Sequence, residues 1–260
     1  MERPSGRPRV GLALGGGAAR GLAHIGVLKV LQEQRIGIHC IAGTSAGSLI
    51  GSLFCAGFSW QAIEKVGRDT DWSDLVSPTW PSLGIVNPDK LEKTLNGLLQ
   101  HKRFEDLPIP FRAVAVDITS GEEVVLGSGS VATAVRASCS IPGIFEPTEL
   151  GGRLLVDGGL VNDVPTDVVK AMGADVVIGV DLNADRVINR RPENVIEVFF
   201  RSLNILIHNS AQRARRVADI MVVPRLGGFA YHDLKRLDEL IAEGERAIRA
   251  RIEEVKDLSG

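Results

Sequence analysis

The sequence has few cysteines, few aromatic residues and no long apolar run, and each shortage excludes a class of protein. Its three cysteines, Cys40, Cys55 and Cys139, are scattered in apolar surroundings without a C-x-x-C spacing. A disulfide framework or a cysteine-based metal site needs more cysteines at regular spacing. The sequence therefore predicts small buried thiols of a reducing compartment.

Membrane-spanning and nucleic-acid-binding classes are also disfavoured. No window approaches the length of apolar sequence that crosses a bilayer, and the first eight residues contain no signal-like apolar region. We therefore expect a cytoplasmic protein, with peripheral contact at the inner membrane face left open. The formal net charge of −2 gives no global attraction to a polyanion, so no nucleic-acid partner is expected.

The chain does have enough apolar sequence for one large core. Hydrophobic residues make up 44% of the 260 residues and aromatic residues only 5%. Predicted strands and helices alternate along the chain, and we find no internal repeat or low-complexity linker. Residues 1–260 are therefore predicted to form a single α/β domain, with a motif core over 10–224 and a C-terminal helix over 232–256.

The stretch G-T-S-A-G over residues 43–47 lies between an apolar run and a helical pattern. The run at 38–42 is short enough for a buried strand. A G-x-S-x-G motif between a strand and a helix is typical of a nucleophile elbow, in which the serine occupies a sharp, strained turn. Gly43 and Gly47 leave room for the strand and the helix to approach each other. The alternative is that Ser45 only caps the helix.

A second glycine-rich turn, G-G-G-A-A-R-G over residues 15–21, follows the first predicted strand. Such a turn before a helix presents backbone N–H groups at the positive end of the helix dipole. A dinucleotide fingerprint needs G-x-G-x-x-G and a later acidic residue, and a P-loop needs a terminal G-K-[ST]. The turn fits neither pattern. It fits an oxyanion hole, which needs only small residues whose N–H groups lie beside a nucleophile.

A serine nucleophile needs a group that accepts its proton. Asp157 follows a short predicted strand and precedes Gly158 and Gly159, so it is either a turn residue or a carboxylate held at the rim of the sheet. His232 comes nearest to the histidine of a Ser–acid–His order, but it lies at the start of the C-terminal helix. His208 lies inside a long predicted helix. If no histidine is required, Asp157 is the best-placed base.

Two segments outside these motifs have two interpretations each. Residues 194–216 predict a long helix that is apolar over most of its circumference and accompanied by arginines. It is either buried against the sheet, which is favoured, or it lies on a membrane surface. Residues 60–100 predict helical cover over one end of the sheet. There Trp72, Leu75, Trp80 and Leu83 are candidates for a lid or acyl-chain wall, with core packing favoured for most of them.

Three motifs in this order resemble those of the patatin-like phospholipases. They are the 15–21 turn followed by L-A-H-I-G, the 43–47 turn, and D-G-G at 157–159. The resemblance extends from Val10 to about Pro224 and is strongest to the bacterial branch related to the neuropathy target esterase catalytic domain. It implies a three-layer α/β/α fold with a mostly parallel central sheet, a nucleophile elbow, and a Ser–Asp dyad in place of a triad.

The resemblance also implies a role for each motif residue. Ser45 matches the nucleophile, and Asp157 matches the acid that orients and deprotonates it. Gly16, Gly17 and Ala18 match the oxyanion loop, but the family has glycine where Ala18 stands. A methyl group there narrows the hole or redirects one N–H if the native φ is positive. The residues matching supporting positions are Gly15, Arg20, Gly21, Gly43, Gly47, Gly158 and Gly159.

We therefore predict a serine acyl hydrolase that cleaves ester bonds of phospholipids, lysophospholipids or related lipid esters through an acyl-enzyme. It requires no cofactor and no metal. The alternative is a non-catalytic protein of the same fold that binds an acyl or anionic ligand, or a regulatory partner, at the same two turns; Ala18 favours it. A nucleotide-binding protein is disfavoured by the missing acidic residue and the missing lysine.

Overall fold

The computed structural model describes residues 7–71, 77–78, 83–84, 86–87, 89–185, 191–212 and 214–260. Of the predicted lid or wall residues, Trp72, Leu75 and Trp80 lie outside these ranges. Leu83 lies within them and is 64% exposed, so it is not packed in the core. Among the described helices, none has the length and apolar character needed to span a membrane.

The described residues form one eight-stranded sheet and a small two-stranded one. The strands of the large sheet are β1 (Val10–Leu14), β2 (Ile38–Thr44), β3 (Phe111–Asp117), β4 (Glu123–Leu126), β5 (Thr148–Leu150), β6 (Arg153–Asp157), β7 (Val176–Val180) and β8 (Ile220–Val222). Their spatial order is β8-β7-β1-β2-β3-β6-β5, with β4 also paired to β3. Pairings from β8 to β3 are parallel, and those of β4, β5 and β6 are antiparallel. Ser77–Pro78 and Val86–Asn87 form the small sheet.

Helices connect and cover these strands. They are α1 (Ala23–Glu33), α2 (Ala46–Cys55), α3 (Trp60–Arg68), α4 (Asp89–Leu99), α5 (Val131–Ser138), α6 (Thr166–Ala171), α7 (Val195–Ala211), α8 (Ala214–Val217), α9 (Leu237–Arg249) and α10 (Ile252–Ser259). Short 3-10 helices span Ala18–Leu22, Phe104–Asp106, Gly158–Leu160 and Leu234–Arg236.

Apolar clusters lie on both faces of the sheet, because successive strand residues point to opposite faces. Leu12 of β1 and Ile41 of β2 belong to a large cluster that also contains residues of α1, α2 and α9. Their neighbours Ala13 and Ala42 belong to a smaller cluster with α6 and the start of α8. Helices therefore cover both faces, and the predicted three-layer α/β/α fold is confirmed.

One edge of β3 explains how two distant segments meet. β4 occupies the other edge of this strand. The edge of β3 that β4 leaves open is shared by two strands. β2 pairs in parallel along it as far as Thr44 opposite Val114, and β6 pairs antiparallel along it from Asp157 opposite Ala115 onward. Because a strand has only two edges, the carboxyl ends of β2 and β6 meet end to end there. Ser45 follows β2 directly, so it lies at this junction with Asp157.

Two predicted helices are divided in the structure, and one of them is not buried. The predicted C-terminal helix over 232–256 is a 3-10 turn followed by α9 and α10. The predicted helix over 194–216 forms α7 and α8. The prediction that it is buried against the sheet is wrong, because Val195 is 80% exposed, Ile205 is 61% exposed, and only Ala211 of α7 is buried. An apolar composition does not specify which neighbour, if any, covers a helix.

Candidate active site

Ser45 occupies the turn between β2 and α2 in a strained backbone conformation. Its φ of 52° and ψ of −124° lie outside the regions that non-glycine residues readily adopt. The Ser45 N–H donates to Ser138 Oγ at 2.8 Å, and the Ser45 carbonyl accepts the Ser48 N–H at 2.8 Å. Although Ser45 is the N-cap residue of α2, its side chain makes no capping hydrogen bond. Helix capping therefore does not explain the serine.

Close contact between backbone segments explains the motif glycines. A Cβ on Gly47 would lie 2.0 Å from the Leu14 carbonyl oxygen, and a Cβ on Gly43 would lie 2.5 Å from the Gly47 carbonyl oxygen. A side chain at either position would push the strand and the helix apart. Cβ atoms added to further motif glycines would also meet a neighbouring atom at 3.1 Å or closer: Gly15, Gly16, Gly17, Gly21, Gly158 and Gly159.

Asp157 lies at the end of β6, on the other side of the junction from Ser45. Its N–H donates to the Ser140 carbonyl at 2.9 Å, and its carboxylate accepts the Gly159 N–H at 2.8 Å. Burial raises the pKa of Asp157 to about 6, while hydrogen bonds from Ser45 and Gly159 lower it. A carboxyl group with a pKa near neutrality beside a serine hydroxyl is suited to accept its proton.

The histidines have different surroundings. His24 is buried and forms a hydrogen bond with the Gly15 carbonyl through Nε2 at 2.8 Å, and burial lowers its pKa to about 4. His24 is therefore neutral and supports the glycine-rich turn. His208 lies on α7, and its Nε2 is 3.4 Å from Nε2 of Gln212, the residue after the helix. His232 lines a cavity that also contains Ser45, so it is the histidine to test as an alternative base.

The glycine-rich turn lies beside Ser45 and is fixed through its second glycine. The Gly16 N–H donates to the Asp163 carboxylate at 3.1 Å, and a Cβ on Gly16 would lie 3.3 Å from Ser45 Cβ. In the part of the chain that the structure describes, the N–H groups of Gly17 and Ala18 have no hydrogen-bond acceptor. Two backbone donors beside the serine are therefore available to a ligand.

Asp163 belongs to a buried network that the sequence analysis missed. Its carboxylate also accepts Asn183 Nδ2 at 3.1 Å, and the same amide donates to the Gly16 carbonyl at 3.1 Å. The Asp163 N–H donates to Ser210 Oγ at 3.1 Å. Burial, and secondly the nearby Asp181, raise the pKa of Asp163 well above its usual range. An acidic residue in a turn has no distinguishing pattern in a single sequence, so no signal marked it.

Ala18 supplies one of the two available donors, and Arg20 follows it by two residues. Ala18 has a φ of 48°, so the condition under which its methyl group was predicted to matter is met. Arg20 is buried, and its Nε and Nη2 donate to the Phe229 carbonyl at 3.0 and 2.6 Å. The Arg20 guanidinium also lies 4.7 Å from the centre of the Tyr231 ring. Arg20 therefore joins the glycine-rich turn to the loop before α9.

Two cavities meet at Ser45. The larger, of about 670 Å³, contains Asp157 and is lined on one side by α7. The smaller, of about 150 Å³, reaches Ser45 and Ala18 from α2, α3 and α4. Its walls are mostly apolar side chains, among them Leu49, Leu53, Ile63, Val66 and Leu95. No group of three or more His, Cys, Asp or Glu side chains suited to a metal ion occurs within the described ranges.

Comparison with known proteins gives consistent similarities. A family model described as patatin-like phospholipase matches residues 12–170. An uncharacterized NTE family protein of Mycobacterium tuberculosis is 37% identical over 190 residues, which cover 70% of this chain and 51% of that protein. Neuropathy target esterase sws of Drosophila melanogaster is 35% identical over 183 residues, which cover 67% of this chain and 13% of that protein. The chain therefore spans about half the length of the first relative and a small part of the second.

A similarity in structure extends further along the chain. The crystal structure of VipD from Legionella pneumophila matches 98% of this chain and 69% of that chain, with a TM-score of 0.56 and 14% sequence identity. At this identity the similarity shows a shared fold alone.

Proposed function

The chain belongs to the patatin-like phospholipase family, as its three motifs predicted, and from that membership we propose that it is a serine acyl hydrolase. Its substrates are carboxylic esters of phospholipids, lysophospholipids or related lipids. The observation that carries the proposal is the strained Ser45 beside a buried carboxyl, Asp157, whose pKa is raised to about 6. Backbone strain and a shifted carboxyl pKa are each concentrated at functional sites, and here the two occur side by side.

In the proposed reaction, Asp157 accepts the Ser45 hydroxyl proton as Oγ attacks the acyl carbonyl carbon. The carbonyl oxygen becomes an oxyanion in the tetrahedral intermediate. The ester C–O bond then breaks, and the leaving alkoxide takes the proton from Asp157. Water repeats the sequence on the acyl-enzyme: Asp157 accepts a proton from water, the hydroxide attacks, and Ser45 leaves with that proton.

We assign the oxyanion to the N–H groups of Gly17 and Ala18. The Gly16 N–H, which also matches the family's loop, already donates to Asp163, so we give Gly16 a supporting role. Each such donor contributes on the order of 3 kcal/mol to lowering the barrier when it is aligned with the oxyanion.

The two cavities fit the two parts of a lipid ester. The smaller, apolar cavity beneath α3 and α4 is suited to an acyl chain, because burying methylene groups there removes them from water. The larger cavity is also lined mostly by apolar side chains, but it presents the polar Asn183, Arg201 and Tyr231, and we assign to it the alcohol part with its headgroup. The acyl carbonyl then lies at Ser45, where the cavities meet.

The first test is hydrolysis of a short-chain nitrophenyl ester by the wild type, Ser45→Ala and Asp157→Asn, with folding checked by circular dichroism. We expect both variants to be folded and to lose at least about a hundredfold in kcat. His208→Ala and His232→Ala are the matched controls and should retain activity. Full activity of Asp157→Asn would make a histidine the base.

Labelling by a fluorophosphonate probe separates the proposal from the non-catalytic alternative. The probe needs an activated serine and an open oxyanion hole, so the wild type should be labelled and Ser45→Ala should not. Ala18, with its φ of 48°, is the residue that favours the alternative. A wild-type protein inert to both ester and probe would be a binding protein of the same fold.

A further inference from the structure

Helix α7 has two apolar faces that point in opposite directions. Its inner face lines the larger cavity with Phe200, Leu203 and Ile207. Its outer face, defined here by positions 195, 198, 199, 202, 205, 206 and 209, follows the spacing of one helix face. Large apolar side chains on this outer face are strongly exposed: Val195 by 80%, Val198 by 50%, Phe199 by 44%, Ile205 by 61% and Leu206 by 52%.

The outer face of α7 carries no charged residue. Its two remaining positions are the neutral Ser202 and Asn209. Glu197 and Arg201 lie off this face and form an ion pair at 3.9 Å. Including Ile196, six of the eleven exposed large apolar residues in the described part of the chain belong to α7. Soluble proteins rarely concentrate exposed apolar side chains in this way unless the patch contacts something.

The charge of the surrounding segment indicates what that contact is. Residues 186–216 contain seven arginines, two glutamates and no lysine or aspartate, a formal net charge of +5, whereas the whole chain carries −2. Of these arginines, Arg191 precedes α7, and Arg215 and Arg216 follow it, all three exposed. An uncharged apolar face with basic residues beyond both ends complements an anionic lipid surface.

We propose that the outer face of α7 docks the protein on an anionic lipid bilayer, with the helix lying in the plane of the interface. At 17 residues, α7 lies on such a surface and does not cross it. Because the inner face of the same helix is a wall of the cavity that contains Ser45, docking places that cavity next to the lipid. Docking would bring the proposed lipid esterase to its substrate, and this role rests on the proposed function. The binding to lipid itself does not depend on it.

The test measures binding to vesicles without turnover. Full-length Ser45→Ala protein is sedimented with phosphatidylcholine vesicles that contain or lack phosphatidylglycerol. We expect binding to the anionic vesicles, weakened by added salt. The double change Ile205→Asp and Leu206→Asp should weaken binding by at least about tenfold, and Asn209→Leu, which extends the apolar face, should strengthen it.

The matched control is Leu258→Asp, which changes another exposed apolar residue, 42% exposed on α10. The end of α10 lies near Pro8, before the amino end of β1. It is therefore at the amino ends of the parallel strands, whereas Ser45 is at their carboxyl ends. Leu258→Asp should leave vesicle binding unchanged. Equal binding by the Ile205/Leu206 variant, or equal binding to neutral vesicles, would overturn the proposal, as would a dimer in solution that this variant dissociates.

Hydrolysis of a soluble nitrophenyl ester separates this proposal from the proposed function. With Ser45 intact, the Ile205/Leu206 variant should hydrolyse that ester at the wild-type rate, because neither side chain lines a cavity at Ser45. Loss of vesicle binding with soluble-ester hydrolysis retained supports the docking surface. Vesicle binding by a protein that is inert to esters would leave the docking surface standing and reject the esterase.

Discussion

The carboxylate of Asp163 accepts the backbone N–H of Gly16 at 3.1 Å, across 147 residues of sequence. One of the backbone donors of the glycine-rich turn beside Ser45 is therefore occupied within the protein. Asn183 closes the arrangement by donating to both the Asp163 carboxylate and the Gly16 carbonyl. The loop is held at Gly16, and the N–H groups of Gly17 and Ala18 are left to act on a ligand.

Removing the Asp163 carboxyl should therefore misalign the loop. For Asp163→Ala we expect kcat on a soluble ester to fall by about ten- to a hundredfold with KM within about twofold, because an oxyanion hole acts in the transition state. Asp163→Asn keeps an oxygen that accepts the Gly16 N–H and should recover part of the loss. Ser210→Ala, which removes the partner of the Asp163 N–H, is the control and should change kcat less. An unchanged kcat in Asp163→Ala would reject the positioning role.

The raised pKa of Asp157 predicts an acid limb in the pH profile. A base must be deprotonated to accept the Ser45 proton, and burial raises the pKa of Asp157 to about 6. We expect kcat/KM to be constant above about pH 7 and to fall about tenfold per pH unit well below pH 6. Initial rates with a nitrophenyl ester between about pH 4.5 and about pH 8 give the profile. If the acid limb persists unchanged in His232→Ala, His232 does not cause it. A profile that is flat down to about pH 5 would contradict the assignment of the limb to Asp157.

The same carboxyl predicts a stability gain in the Asp157→Asn variant. The folded-state pKa of Asp157, about 6, is above its ordinary value of 3.8. The folded protein therefore binds this proton more tightly than the unfolded chain, so the stabilisation is full below pH 3.8 and is lost as the pH rises through 6. Relative to an exposed carboxyl, ionised Asp157 then costs about 3 kcal/mol.

Asp157→Asn keeps an acceptor for the Gly159 N–H and removes this charge. We expect its free energy of unfolding to exceed that of the wild type by up to about 3 kcal/mol near pH 8 and by little near pH 4, measured by urea denaturation. Asp69→Asn, at an exposed carboxyl paired with Lys65, is the control and should change stability by less than about 1 kcal/mol. An Asp157→Asn protein less stable than the wild type at high pH would refute the argument.

Filling the smaller cavity should change chain-length preference. Val66 of α3 is half-buried and lines this cavity, and it is not among the residues of the larger one. For Val66→Phe we expect hydrolysis of long-chain nitrophenyl esters to fall by about tenfold or more, because the chain loses buried length. Acetate or butyrate esters should react within about twofold of the wild-type rate. Equal loss across all chain lengths would mean that the cavity does not hold the acyl chain.

The local parts of the site could be predicted from sequence because each is encoded by adjacent residues. The elbow at Ser45 needs small residues two positions away on either side, and steric exclusion leaves glycine as the residue that fits. The fold class follows from the alternation of strands and helices in the same way. Position along the chain, however, gives no indication that Asp157 ends its strand against the end of β2, because that contact depends on the pairing of β6 with β3.

Two features depend on tertiary structure that no local pattern contains. Asp163 receives its role from Gly16 and Asn183, which lie far from it in sequence. Helix α7 was predicted to be buried because its residues are apolar, but hydrophobicity records only that a side chain avoids water. It does not distinguish a helix that is covered by its own sheet from one whose outer face is exposed. Val195 and Ile205 show that α7 is of the second kind.

The long separation between Gly16 and Asp163 also has a kinetic consequence. The elbow forms from the neighbouring elements β2 and α2, whereas the loop beside it is fixed only after a chain segment from the second half of the protein has docked. Contacts between such distant residues form late, because closing the intervening chain costs entropy before the contact compensates for it. On refolding, helical circular dichroism should therefore return before esterase activity does. The return of esterase activity, as proposed for this protein, would therefore report the last stage of folding.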